Sequence, residues 1–319
     1  MHPSNAPHLS LVQARNEANE FNRGKSDFSI SDQLRFSYDA DERALWSIWK
    51  PNGIPCFNID LLKDLQRASA AIENDNNGTN SNALNYIVLR SAIRGVFSVG
   101  GDLGYFQQLI SAKERSRMTE YAKSAVDVVY RNYISHNLRA VTTIALLEGD
   151  ALGGGLECAI SSDIVIAEEH VRAGFPEVLF NMFPGMGGLS FLARRVGKRA
   201  ADDMVRTGRL YSATELYSLG VVDQVVETGR GPSVVREVMR RRSRQLAAHQ
   251  AMNRVDRIVR PVTLDELNEV VHIWVDNAMK LSPSNLEWMH RLHHRQLSVF
   301  APPPVSGNVS AQDDKIVAA

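Results

Sequence analysis

The sequence predicts an α/β protein with a helical C-terminal region, on three observations. Apolar segments of strand length alternate with segments of helical periodicity through the middle of the chain. Strands separated by helices are typical of β-α-β units. Beyond Arg230 the strand patterns stop and apolar residues recur at helical spacing.

The first predicted strand and helix are Leu45–Trp49 and Asn58–Ala71. Apolar and polar residues alternate along the strand, which is the pattern of a half-buried strand. The helix carries an apolar residue every three or four positions, and Asn58 is a candidate N-cap. A polar loop rich in asparagine follows this pair.

The other core elements are predicted from shorter patterns. Short apolar runs predict buried strands at Tyr86–Leu89, Thr142–Leu147 and Ile164–Ala167. Ser111–Leu138 is predicted to be one long helical stretch, and Leu152–Ser161 a helix of small residues. These elements predict a core at residues 29–230, followed by a helical region at 231–300.

The ends of the chain differ from this core in composition. Residues 1–28 are rich in Asn, Ser and charged residues, and residues 301–319 begin with a proline run and remain polar. Both segments are predicted to be mobile tails.

Composition excludes several functional classes. Lys plus Arg and Asp plus Glu each number 36, so the chain lacks the basic excess of a nucleic-acid-binding protein. Two cysteines cannot form a disulfide framework or a cysteine zinc site by themselves. The N-terminus lacks the apolar segment of a secretory signal, and no apolar run has membrane-spanning length. We therefore expect a soluble cytoplasmic protein without membrane insertion.

Two glycine clusters follow predicted strands. Gly153–Gly155 opens the small-residue helix, where glycine costs about 1 kcal/mol per position relative to alanine. The first amides of a helix lack intrahelical partners and can stabilise an anion, but the glycines could equally permit tight helix–sheet packing. Gly100-Gly101 could likewise be only a turn, because its spacing is not that of a phosphate-binding loop.

Two glutamates lie on apolar segments close to these glycines. Glu157 lies in the small-residue helix, and Glu177 lies between Pro176 and Val178. A single glutamate of this kind is usually exposed or ion-paired. A pair in one apolar cleft can divide the roles of acid and base at neutral pH.

Three segments carry a resemblance to a known family. SVGGDL, LEGDALGGGLECAISSDIVIAEEHVRAGFPEVLFNMFPGMGG and YSATELYSLGVVDQVV resemble, in order and spacing, the crotonase (enoyl-CoA hydratase/isomerase) superfamily across residues 40–230. The resemblance implies a crotonase-like ββα spiral core with a C-terminal helical appendage. It implies that Glu157 and Glu177 are catalytic and that the amides of Gly101 and Gly154 form an oxyanion hole.

A finer resemblance is to the diffusible signal factor synthases of bacteria. It rests on GFPEVLFNMFPGMG and on Ile273–Met279, and it extends to about residue 295. It implies dehydration of a 3-hydroxyacyl thioester on acyl carrier protein, followed by hydrolysis to a cis-2-unsaturated fatty acid. The alternative is an enoyl-CoA hydratase that acts reversibly on CoA thioesters without hydrolysis. The sequence of Leu189–Leu192 argues against that alternative, because ordinary hydratases commonly carry a Gln-Arg pair where this chain has mainly apolar residues.

The family also implies partners and a binding pocket. No cofactor is implied, because the substrate is carried as an acyl-carrier-protein or acyl-CoA thioester. Four residues are candidates for the acyl pocket, with ordinary helix packing as the alternative: Trp274, Met279, Trp288 and Leu292. A trimer-based homo-oligomer is expected, and a sensor protein of the signalling system is a candidate partner. A purely regulatory binding protein is a third hypothesis, against which the two retained glutamates argue.

Three further groups of residues are candidates for a binding, metal or catalytic site. A basic run at residues 236–244 could meet an acidic carrier protein, or could simply be a solvated helix face. His290, His293 and His294 lie close together in the sequence, but the pattern His-x-x-His-His is a poor metal site, so no metal is expected. Cys158 is predicted to be a buried core residue.

Overall fold

The computed structural model describes residues 25–76 and 84–300. The predicted tails 1–28 and 301–319 lie outside these ranges, except that the first strand begins at Lys25. In chain order the strands are β1 (Lys25–Ser31), β2 (Leu34–Asp39), β3 (Ala44–Trp49), β4 (Tyr86–Ser91), β5 (Gly95–Ser98), β6 (Thr142–Leu147), β7 (Gly149–Leu152), β8 (Ile164–Glu168), β9 (Arg172–Gly174), β10 (Leu210–Ser212) and β11 (Gln224–Val226).

Helices occupy most of the remaining described chain. In order they are α1 (Ile59–Asn76), α2 (Leu103–Ser111), α3 (Arg115–Tyr133), α4 (Gly154–Ile160), α5 (Gly188–Val196), α6 (Lys198–Thr207), α7 (Ala213–Leu219), α8 (Gly231–Arg242), α9 (Leu246–Val259), α10 (Leu264–Ala278) and α11 (Pro283–Phe300). The predicted helical C-terminal region is therefore confirmed. None of the helices in the described ranges has both the length and the apolar character of a membrane span.

The strands form two sheets. The large sheet has seven strands in the order β1-β2-β3-β4-β6-β8-β11, antiparallel up to β3 and parallel from there on. The small sheet has the order β10-β9-β7-β5, in which β5, β7 and β9 are parallel. Parallel strands joined through helices confirm the predicted α/β class.

Both faces of the large sheet are covered. On β3, Leu45 and Trp49 face the main core, whereas Trp46 and Ile48 face a smaller core beneath α8. The prediction of a half-buried strand was therefore wrong. Alternate residues of β3 lie on opposite faces of the sheet, and both faces are buried. The face that would otherwise meet solvent is covered by α8.

One predicted helix cap is confirmed, and two predicted helix boundaries differ from those in the structure. The cap of α1 is confirmed, since Asn58 Oδ1 accepts a 2.8 Å hydrogen bond from the Leu61 amide. The helical stretch predicted at Ser111–Leu138 is shorter in the structure: α3 covers Arg115–Tyr133, and Lys113, with a φ of +56°, separates it from α2, which ends at Ser111. The small-residue helix begins at Gly154 rather than Leu152, because Leu152 ends β7.

Candidate active site

The three segments with predicted chemistry follow the three parallel strands of the small sheet. Gly100-Gly101 follows β5, the glycine triplet follows β7, and Glu177 lies just beyond β9. The carboxyl ends of parallel strands meet at one edge of a sheet, which is where ligands bind in many α/β folds. The small sheet therefore brings together segments that are far apart in sequence.

The two glycine segments are in backbone contact. A Cβ on Gly100 would lie 2.9 Å from the Leu152 carbonyl oxygen, and one on Gly155 would lie 2.5 Å from the Ser98 carbonyl oxygen. Tight packing therefore explains these two glycines. The same packing brings Gly101 and Gly154 to one cavity.

This cavity has a volume of about 350 Å³ and a predominantly apolar wall. Its lining includes all four predicted reacting groups, the side chains of Glu157 and Glu177 and the backbone at Gly101 and Gly154. Among the backbone hydrogen bonds of the described loops, turns and caps, none uses the N–H of Gly101 or Gly154 as donor. Neither amide is therefore committed to a backbone acceptor in this set of hydrogen bonds.

The Glu157 carboxyl is held by two backbone amides. Its side chain projects from α4 and is 1% exposed, and Oε1 accepts hydrogen bonds from the amides of Met186 and Gly188, both at 2.7 Å. Burial raises the pKa of Glu157 to about 7, and the two amides oppose that rise by favouring the ionised form. The turn that supplies these amides was not identified as functional from the sequence, although its proline and glycines mark a tight turn.

Glu177 has a less favourable environment for negative charge. It lies in the 3₁₀ turn Pro176–Phe180, and its Oε2 atom is buried with no hydrogen-bond partner among the described residues. Burial, and then the neighbouring charge of Glu157, raise the pKa of Glu177 well above its ordinary value. Both carboxyl pKa values are therefore raised, and Glu157, which accepts two amide hydrogen bonds, has the better-stabilised negative charge of the two.

Gly153 makes room for the Glu177 carboxylate. Its backbone has a φ of +51°, and an added Cβ would lie 2.2 Å from Glu177 Oε1. Any side chain at this position would displace the acid and strain the backbone.

Three of the four acyl-pocket candidates line the cavity, and one does not. Trp274, Trp288 and Leu292 form part of the wall. Met279 instead follows the end of α10, packs against the main core and is not among the residues that line the cavity, in agreement with the helix-packing alternative. Met279 is the C-cap of α10, which ends at Ala278.

The basic run lies on the side of the large sheet away from this cavity. It begins on α8, which packs on the smaller core, whereas the cavity wall belongs to the main core. Arg236 donates to Asp39 Oδ2 at 2.9 Å and lies over the Trp46 ring, and Arg240 lies 3.5 Å from Glu42. These contacts indicate a structural role for the first part of the run.

Cys158 and the C-terminal histidines are the remaining candidate sites. Cys158 is 1% exposed, as predicted, and burial raises its pKa to about 12. In the part of the chain that the structure describes, no three His, Cys, Asp or Glu side chains cluster closely enough to hold a metal ion.

Fold and site together define a class of α/β protein with a paired-carboxylate cavity and backbone donors beside it. Residues 48–284 match the family model described as enoyl-CoA hydratase/isomerase. The chain belongs to this family, within the crotonase superfamily.

Known proteins support that assignment. The chain is 34% identical over 173 residues to the probable enoyl-CoA hydratase 2, mitochondrial, of Arabidopsis thaliana, a match that covers 54% of this chain and about half (52%) of that protein. The structure of human mitochondrial delta3-delta2-enoyl-CoA isomerase superposes with a TM-score of 0.68 at 19% identity, over 85% of this chain and all of that one. The enoyl-CoA hydratase structure from Geobacillus kaustophilus HTA426 gives 0.65 at 20% identity, over 85% and 97%. The two structures show the crotonase-like fold.

Proposed function

We propose that the protein catalyses reversible hydration of 2-enoyl thioesters to 3-hydroxyacyl thioesters. The observation that carries the proposal is the meeting of Glu157, Glu177 and two unoccupied glycine amides in one apolar cavity. Membership of the enoyl-CoA hydratase/isomerase family supports a CoA thioester as the substrate.

The two amides would activate the thioester carbonyl. Addition of water to C3 of a 2-enoyl thioester moves electrons onto the carbonyl oxygen, which becomes an enolate oxygen. Hydrogen bonds from the N–H groups of Gly101 and Gly154 would stabilise that charge, and one such donor is typically worth about 3–4 kcal/mol.

The order of the two carboxyl pKa values assigns the proton transfers. Glu157, held by two amides, is the group that ionises first, and it would take a proton from the attacking water. Burial and the neighbouring charge of Glu157 raise the pKa of Glu177, so in the hydration direction Glu177 would be the acid that delivers a proton to C2. In the dehydration direction the roles reverse: Glu177 removes the C2 proton and Glu157 protonates the departing hydroxyl.

The test uses matched substitutions of three glutamates. Glu157→Gln and Glu177→Gln are each expected to lower kcat for hydration of a 2-enoyl-CoA by about 10²- to 10⁴-fold. Glu169→Gln makes the same change on an exposed side chain and should leave kcat unchanged. Loss of the conjugated enoyl absorbance measures the rate. Equal activity of all three variants and the wild type would refute the proposal.

A second candidate adds thioester hydrolysis, as in a diffusible signal factor synthase. The apolar wall formed by Trp274, Trp288 and Leu292 supports it, since such a wall suits an acyl chain. The segment Leu189–Leu192 supports it as well, because Phe191 and Leu192 are buried apolar residues where ordinary hydratases commonly carry a Gln-Arg pair.

Product analysis separates the two candidates. Incubation with 3-hydroxyacyl-CoA and, separately, with 3-hydroxyacyl carrier protein should give a 2-enoyl thioester in both cases if the protein is a hydratase. Release of free cis-2-unsaturated acid, detected by mass spectrometry, would instead support the synthase. The carrier protein, a sensor protein partner and a trimeric assembly remain predictions that this assay and a mass measurement in solution can address.

A further inference from the structure

The loop that carries Gly101 is attached on one side to the segment before α1. The Val99 amide donates to the Pro55 carbonyl at 2.9 Å, and the Phe57 amide donates to the Gly100 carbonyl at 2.8 Å. Because a trans peptide holds its C=O and N–H on opposite sides, the Gly101 N–H points away from Phe57. This contact therefore aims the proposed oxyanion donor but fixes only one of the two peptides that flank Gly101.

The second flanking peptide is held by a buried hydroxyl. Tyr121 Oη donates to the Phe57 carbonyl at 2.5 Å and accepts from the Asp102 amide at 3.2 Å. Phe57 and Gly101 form an isolated parallel bridge, and the hydroxyl joins the two backbone groups that complete it. Without that hydroxyl the peptide between Gly101 and Asp102 could rotate, and the orientation of Gly101 would change with it.

Tyr121 is itself rigidly placed. It lies on α3 with 3% of its surface exposed, and its ring packs edge-on against Phe106 at a centroid distance of 5.0 Å. Phe106 packs in turn against Trp274 at 5.2 Å, so the tyrosine is fixed by the same aromatic cluster that forms the cavity wall. Burial raises the pKa of Tyr121 well above its ordinary value, which keeps the hydroxyl protonated as a donor.

We propose that Tyr121 is a positioning residue for the oxyanion hole, whose hydroxyl holds the second peptide beside Gly101 and, together with the Phe57–Gly100 hydrogen bond, fixes the direction of the Gly101 N–H. This proposal rests on the proposed function, because it assigns a role within the same site. A tyrosine that only filled space would be replaced by phenylalanine without consequence for the carbonyl bound next to Gly101.

The test compares Tyr121→Phe with Tyr105→Phe. Tyr105 is a neighbour whose ring lies 5.8 Å from that of Tyr121 and whose hydroxyl accepts from Arg117, away from the Gly101 loop. Saturated octanoyl-CoA, isotopically labelled at the thioester carbonyl, binds without undergoing elimination and reports carbonyl polarisation by infrared difference spectroscopy. The wild type and Tyr105→Phe are expected to lower the carbonyl stretching frequency equally, whereas Tyr121→Phe should lose about half of that shift or more.

Turnover supplies a second readout. Tyr121→Phe should lower kcat for 2-enoyl-CoA hydration by about 10- to 100-fold, with KM within about twofold of the wild type, because the defect is in orientation and not in binding. A wild-type shift and kcat in Tyr121→Phe would overturn the proposal. An unshifted carbonyl in the wild-type protein would overturn the oxyanion hole itself, a separate failure that concerns the proposed function.

A further variant covers loss of folding. If Tyr121→Phe cannot be obtained as a folded protein, 3-fluorotyrosine at position 121 keeps the hydroxyl and the ring but makes the oxygen a weaker acceptor for the Asp102 amide. The carbonyl shift is then expected to fall below that of the wild type. A full wild-type shift with this variant would overturn the proposal.

Discussion

Two voids in the main core contain buried polar groups without partners, and they differ in size and surroundings. The active-site cavity, of about 350 Å³, holds the unpaired Oε2 of Glu177 beside a second carboxylate. The other void, of about 30 Å³, is lined by His136, whose two ring nitrogens have no partner among the described residues. Backbone strain accompanies both, at Gly153 in the first and at Ser135–Asn137 in the second, where φ is 51–59°.

The comparison separates a catalytic group from one that merely titrates. The smaller void has room for a water molecule and none for an acyl group, and no carboxylate lines it. Burial, followed by the charge of Arg131, lowers the pKa of His136 to about 4. Strain and a shifted pKa therefore occur in both voids, and the room for a substrate and a pair of carboxyl groups distinguish the candidate active site.

The largest expected effect comes from closing the active-site cavity at Gly153. In Gly153→Ala the added Cβ would meet the Glu177 carboxylate, so hydration activity is expected to fall by at least about 100-fold. Gly229→Ala is the matched control, because Gly229 has a φ of +82° with no atom within 4 Å of an added Cβ. Both variants should lose some thermal stability, but only the first should lose activity. Equal activities would show that Gly153 does not shape the acid site.

The second prediction concerns the effect of His136, in the smaller void, on the pH dependence of the unfolding free energy. The folded pKa of His136, about 4, lies below its ordinary 6.5, so the stability it contributes is complete above pH 6.5 and is lost as the pH falls toward 4. The loss is about 3 kcal/mol of unfolding free energy. His136→Asn removes the titrating group and keeps a residue that tolerates the left-handed backbone. Its unfolding free energy, measured in urea, should therefore fall less between pH 7 and 4 than that of the wild type.

Comparison of His136→Asn with the wild type removes the contribution of other groups whose titration changes stability in the opposite direction. Glu157 and Glu177 have raised folded pKa values, so their contribution to stability declines as the pH rises above their ordinary value of 4.5. Both residues are present in His136→Asn as well. The exposed His272, changed to Asn, is the control and should reproduce the wild-type pH dependence. If His136→Asn also showed the wild-type pH dependence of stability, the conclusion that the His136 imidazole is buried in its neutral form would be contradicted.

The smallest expected effect concerns which residues bound the acyl part of the cavity. Trp288 lines the cavity while half-exposed, so Trp288→Ala should raise KM for longer acyl chains by roughly three- to tenfold without hollowing the core. Met279→Ala should lower stability and leave the dependence of KM on chain length unchanged, because Met279 packs in the core. KM measured over a series of 2-enoyl-CoA chain lengths decides between them. A chain-length effect at Met279 would mean that the acyl chain extends into the core around α10.

Sequence reasoning succeeded where the signal was local. The strands at Tyr86–Leu89 and Thr142–Leu147, the Asn58 cap and the helices beyond Arg230 were all predicted correctly. It missed β5, β7 and β9, which have three or four residues each and two of which end beside glycine. Such strands are too short for periodicity to reveal, and they are stabilised by pairing with one another across long stretches of chain.

The order of motifs and the spacing of apolar residues were sufficient to predict the α/β class, the helical C-terminal region and the family. Those properties depend on local periodicity and on matching residue types along the chain. The folded arrangement decided which groups share a cavity, that Met279 is not among them, and that the pKa values of both Glu157 and Glu177 are raised. Burial and hydrogen bonding set those properties, and both arise from contacts between residues that the sequence separates.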